Sequence, residues 1–91
     1  MSAIAVQLAG VTSVFYEDFT IGTNRDCDLV LYDEHASPRH AVVSADGGGW
    51  WIEDMGSTQG VRVNGELRAT MSLARGDRIR LGRTEIIVVP T

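Results

Sequence analysis

Turn chemistry recurs roughly every eight to twelve residues along this chain, and no stretch between turns carries a helical period. Such spacing leaves room only for short strands, which bury their apolar faces by stacking into a sandwich or closing into a barrel. Ile4, Val6 and Leu8 alternate with small or polar neighbours, as a half-buried strand requires. Val14-Phe15-Tyr16 and Phe19-Thr20-Ile21 are β-branched and aromatic runs, with Glu17-Asp18 as the turn between them. Leu29-Val30-Leu31 reads as a short buried strand. Ala41-Val42-Val43 and Trp50-Trp51-Ile52 flank a hairpin loop at Ala45-Asp46-Gly47-Gly48-Gly49. Val61-Arg62-Val63 and Glu66-Leu67-Arg68 flank Asn64-Gly65, the dipeptide that best tolerates positive φ at both centres of a type I′ turn. Arg75-Gly76-Asp77 and Gly82-Arg83 mark two further turns, around the alternating Arg78-Ile79-Arg80-Leu81 and before the apolar run from Thr84 to Val89. Adjacent on a strand, Trp50 and Trp51 point to opposite faces, so one belongs to the core and the other to the surface.

Ninety-one residues make one domain, spanning 1–91, near the lower size at which a single core suffices. A lone cysteine, Cys27, excludes an internal disulfide framework and fits a reducing, cytoplasmic setting. No apolar run approaches the roughly 20 residues of a membrane-spanning helix. Met1-Ser2-Ala3-Ile4 lacks the basic start of a signal peptide. The sequence stops just after its last expected strand, at Pro90-Thr91, which fits a minimal stand-alone module or a domain cut from a longer protein.

The net charge of −4 conceals an asymmetry. In residues 1–54, nine acids face Arg25 and Arg39, a balance of −7; in residues 55–91, six arginines face Glu66, Asp77 and Glu85, a balance of +3. All eight basic residues are arginine, whose planar fork suits bidentate recognition of phosphate or carboxylate. The low pI, about 4.9, argues against a broad nucleic-acid-binding face.

Four short blocks fall in order: Gly22-Thr23-Asn24-Arg25, Ser37-Pro38-Arg39-His40, Gly56-Ser57-Thr58-Gln59-Gly60 and Val63-Asn64-Gly65. Together they resemble the forkhead-associated (FHA) domain, with its G-R, S-x-x-H, G-S-T-N-G-like and N-G blocks, over nearly the whole chain. The resemblance implies an all-β, FHA-like sandwich of about ten or eleven short antiparallel strands, with recognition loops at one end. It implies that the Ser37 hydroxyl donates to a phosphate oxygen, that Thr58 touches the phosphate, and that Gln59 stands for the asparagine that bonds the peptide backbone. It makes His40 an internal brace for the Ser37 loop, and Gly22, Gly56, Asn64 and Gly65 structural members of the motif.

The first block departs from the family. Thr23 follows the glycine where the family has its phosphate-pairing arginine. Arg25, two residues on and on the same face of an extended segment, and Arg39, on the Ser37 loop, are the candidate substitutes. Pro38 offers neither an N–H nor a side-chain donor. Asp26 and Asp28 would repel an anion.

Catalytic and metal readings find little support. Cys27 and His40 have no surrounding nucleophile motif. One Cys with His35 and His40 does not make a zinc set, and Asp26, Asp28, Asp33 and Glu34 lack the order of a calcium loop. The expectation is a non-enzymatic, monomeric interaction module with no cofactor or metal and no membrane insertion, reading phosphothreonine peptides in Ser/Thr kinase signalling. The alternative is a phosphorylation-independent FHA-like adaptor in a bacterial assembly or secretion system.

Overall fold

A computed structural model describes residues 3–89; Met1-Ser2 and Pro90-Thr91 of the sequence reading lie outside the described residues. Eleven strands follow in order: β1 (Ile4–Leu8), β2 (Val11–Phe15), β3 (Phe19–Gly22), β4 (Leu29–Val30), β5 (Ala41–Asp46), β6 (Gly49–Asp54), β7 (Val61–Val63), β8 (Glu66–Leu67), β9 (Thr70–Leu73), β10 (Arg78–Leu81) and β11 (Thr84–Val88). They form two sheets, β2-β1-β11-β10-β7-β8 and β4-β3-β5-β6-β9. No helix long and apolar enough to cross a membrane occurs among the described residues.

Period-two alternation places the core between the sheets. In β10, Ile79 and Leu81 are buried while Arg78 and Arg80 face outward; β7 repeats the pattern with Val61 and Val63 around Arg62. In β6, Trp50 turns inward and Trp51 outward, at 8% and 42% exposure. Phe19 stacks on Phe15 with centroids 3.7 Å apart and meets Trp50 at 6.4 Å, joining the two layers where the chain passes between them. Each large apolar side chain buried in this way contributes about 1.5–3 kcal/mol.

Four details differ from the sequence reading. Glu17-Asp18 is not a hairpin turn, because β2 pairs with β1 and β3 pairs with β5. The segment carries the chain from one sheet to the other, and the Asp18 carboxylate accepts the Ala45 N–H there. The pairs are not all antiparallel: β4 runs parallel to β3, with Ile21 opposite Leu29. Leu31 is buried just beyond β4, held by its N–H on the Gly22 carbonyl. Thr70–Leu73 forms an edge strand on β6 that no turn signal announced.

Two turns obey local chemistry. Asn64 and Gly65 have φ of 52° and 85°, as a type I′ turn needs. The Asn64 amide also donates to Asp77 and accepts from the Arg78 N–H, tying the β7–β8 turn to the start of β10.

Candidate functional site

Three loops meet at one end of the sandwich: the β3–β4 loop carrying Thr23 and Arg25, the β4–β5 loop carrying Ser37, and the β6–β7 loop carrying Thr58 and Gln59. Their junction is built around His40, which is wholly buried. Its Nδ1 accepts the Ser37 N–H at 3.1 Å. The ring proton therefore sits on Nε2, which donates to the Gly60 carbonyl at 2.7 Å. One imidazole thus joins the Ser37 loop to the end of the Thr58 loop, and the His40 carbonyl also accepts the Met55 N–H.

The β3–β4 loop docks on the same frame through main chain. The Thr23 N–H donates to the Ser37 carbonyl and the Asn24 N–H to the Pro38 carbonyl, at 3.1 and 3.0 Å. The approach is close enough to exclude any side chain at Gly22: a Cβ there would lie 2.1 Å from the Pro38 oxygen. Asn24 closes the turn by accepting the Asp26 N–H, and the Cys27 thiol reaches the Pro38 carbonyl at 3.3 Å. Asp28 is engaged with Thr20, whose N–H and hydroxyl both donate to it. Its charge is committed to the loop base, a role that its position beside Asp26 does not announce.

The β6–β7 loop is tied by a pair that sequence reasoning missed. Asp54 accepts from both the N–H and the hydroxyl of Ser57, and the Ser57 oxygen accepts the Gly60 N–H at 2.9 Å. An aspartate three residues before a serine is the available signal, since such side chains satisfy turn backbone locally. Gly56 and Gly60, both at φ 78°, let the loop reverse at each end.

Among the sequence-predicted residues, the structure brings Ser37, Thr58 and Thr23 together. The Thr58 N–H donates to the Ser37 hydroxyl oxygen at 3.2 Å, which leaves the Ser37 proton free to point outward. Thr23 and Arg25 line one cavity with Tyr32, Asp33, Glu34 and Pro38, on the outer flank of the Ser37 loop. Arg39 is exposed and makes no hydrogen bond or ion pair among the described residues. Gln59 lines one cavity with Thr58 and Ser57, and a second on the other flank with His35, Gly60, Arg62, Arg80, Gly82 and Arg83.

Asp33 joins the two sheets below the site. Its Oδ2 accepts the Thr84 hydroxyl at 2.6 Å and the Arg83 N–H at 2.8 Å, and its Oδ1 accepts the His35 N–H at 2.8 Å. These bonds, led by that from Thr84, hold its carboxyl down at about 2. Among the described residues, no group of three or more His, Cys, Asp or Glu is placed to hold a metal ion.

Residues 10–91 match the family described as the cytoplasmic domain of an inner membrane component of the type III secretion system. The FHA domain-containing protein FhaB of Mycobacterium tuberculosis is 38% identical over 71 residues, covering 77% of this chain and 46% of the relative. The chain therefore spans about half the length of the curated relatives it matches. Among solved structures, a chain from a study of phosphothreonine-dependent FHA domain interactions superposes with a TM-score of 0.92 at 35% identity, covering 99% of this chain and 98% of that one. The FhaA FHA domain, solved in complex with the intracellular domain of another protein, gives 0.88 at 37% identity, covering 93% and 98%.

Proposed function

The chain belongs to the FHA-domain family, and from that premise we propose that its three-loop end reads phosphothreonine peptides as a signalling interaction module. The observation that carries the reading is that Thr58 and Thr23 both bond Ser37 through their N–H groups, while buried His40 holds the Ser37 N–H. A phosphate dianion offers strong acceptor oxygens, and the Ser37 hydroxyl, whose oxygen accepts the Thr58 N–H, keeps its proton for such an acceptor. FhaA in complex and the phosphothreonine-dependent relative support the reading by likeness. The module spans residues 1–91, acts in the cytoplasm as a monomer, and works by binding rather than by catalysis.

Within this reading, Thr23 occupies the position of the family's phosphate-pairing arginine. A hydroxyl in place of a guanidinium forfeits a charge-assisted bond, about 1.5–3 kcal/mol. Arg25, which shares a cavity with Thr23, is the residue placed to supply part of that charge.

A second reading has its own support. The missing arginine and the match to the type III secretion component both favour an adaptor that binds an assembly partner without phosphate. Calorimetric titration of one peptide in its phosphothreonine, phosphoserine and unmodified forms separates the two. Binding confined to phosphothreonine sustains the first reading. Equal binding of the unmodified form replaces it with the second.

A further inference from the structure

We propose that the outer face of the five-stranded sheet is a docking surface for an arginine-bearing segment of a partner protein. Trp51 is its anchor, stacking under one guanidinium, with Glu53 and Asp46 beside it. The proposal does not rest on the phosphothreonine reading, because it uses strand residues and none of the Ser37, Thr58 or Thr23 groups.

The Trp51 ring is left bare by its neighbours. Its cross-strand partners are Ser44 on β5 and Ser72 on β9. A large ring in a sheet is stabilised by an aromatic or β-branched residue directly opposite, and two serines are too short to cover it. Ring contacts among the described residues join Phe15, Phe19 and Trp50, and none involves Trp51.

The charge around the ring has one sign. The five strands of this sheet carry no arginine, lysine or histidine. Glu53 lies two residues from Trp51, and Asp46 two residues from Ser44, so the period of two puts both acids on the same outer face. Both are exposed and make no ion pair among the described residues. Asp18 and Asp28, just before β3 and β4, are exposed as well and accept only from N–H and hydroxyl groups, which leaves their charge in place. Arg68, beyond the start of β9, is taken by Glu66 at 2.7 Å. The other sheet differs, turning Arg62, Arg78 and Arg80 outward.

Charge complementarity fixes the occupant. Nucleic acid, anionic lipid and acidic peptides are all repelled by these carboxylates, and a cationic segment is drawn in. Arginine fits better than lysine, because its planar guanidinium stacks on an indole face and still presents N–H donors in its plane to a carboxylate. Tryptophan and arginine are also the residues that most often dominate the binding energy of protein interfaces.

The probe is a short unphosphorylated peptide of alternating arginine and serine, with lysine–serine and glutamine–serine versions beside it. Affinity is read by fluorescence anisotropy of the labelled peptides, and location by the indole Nε1–H resonances of the protein. The arginine peptide should move the Trp51 resonance, leave that of buried Trp50 in place, and bind about threefold or more tighter than the lysine peptide. The glutamine peptide should not bind. Trp51→Ser, at an exposed position, should weaken the arginine peptide about fivefold or more, and Glu53→Gln about twofold. Both variants should keep the native affinity for a phosphothreonine peptide. Equal binding of the arginine and lysine peptides, or native affinity in Trp51→Ser, reduces the attraction to general electrostatics and overturns the anchor. Absence of arginine-peptide binding overturns the docking surface. Loss of both peptide affinities together in Trp51→Ser would make the indole a support of the loops and overturn its docking role.

Discussion

The two flanks of the Gly56–Gly60 loop are built from opposite materials. On the Ser37 side the groups are hydroxyls and main-chain N–H donors, and most are already engaged with one another. On the β7–β10 side they include Arg62, Arg80 and Arg83, none of which makes an ion pair among the described residues. The first flank is knit by main-chain bonds and mixes one cation, Arg25, with Asp33 and Glu34; the second gathers arginines held by long contacts to main chain. Three of the six C-terminal arginines are thus gathered, in space, beside the loop whose other flank carries Thr23.

His40→Ala would break the comparison most severely, because that ring joins the Ser37 loop to the Gly60 end of the β6–β7 loop. Losing two hydrogen bonds and opening a cavity at a wholly buried site should cost about 2–4 kcal/mol, read by chemical denaturation. Unchanged stability would show that the flanks are held independently. Thr23→Arg sharpens the contrast by adding charge to the Ser37 flank. Phosphothreonine affinity should rise by about one to two decades, measured by titration, and a flat response would show that the Ser37 flank does not meet the phosphate. Gly65→Val acts at the far end of β7. With φ at 85° and open space around the Cβ, its effect is backbone strain alone, of over about 1 kcal/mol. The melting temperature should fall while phosphothreonine affinity stays as it was.

Asp33 gives the smallest expected effect. Its folded carboxyl titrates at about 2, below the ordinary carboxylate value near 4. Its contribution is therefore complete above about pH 4 and is lost as pH falls through about 2. Asp33→Asn should flatten the acid limb of the stability curve in that window. An unaltered limb would place the tether between the sheets in other contacts.

What could be read from the sequence was local. Alternation exposed most strands, and Asn64-Gly65 announced its turn because positive φ is a demand met within the dipeptide itself. Long-range facts were hidden. Gly22 reads as a motif residue, yet its necessity comes from the Pro38 carbonyl, sixteen positions away and brought close by folding. Thr70–Leu73 is half exposed and follows no turn signal, so only its pairing with β6 reveals it. The arginines could be counted but not placed. Arg62 and Arg80 become neighbours only through strand register, and Arg83 joins them through the β10–β11 turn.

The bonding of three loops to one another around a buried ring has a consequence for exchange rates. A site whose loop bonds are already formed has little left to order when a partner arrives, so encounter need not wait for a conformational step. Association then proceeds at the ordinary pace of docking proteins, roughly 10⁵–10⁷ M⁻¹s⁻¹, and partners differ chiefly in how long they stay. On the proposed reading, competition among phosphorylated partners at this module is settled by residence time.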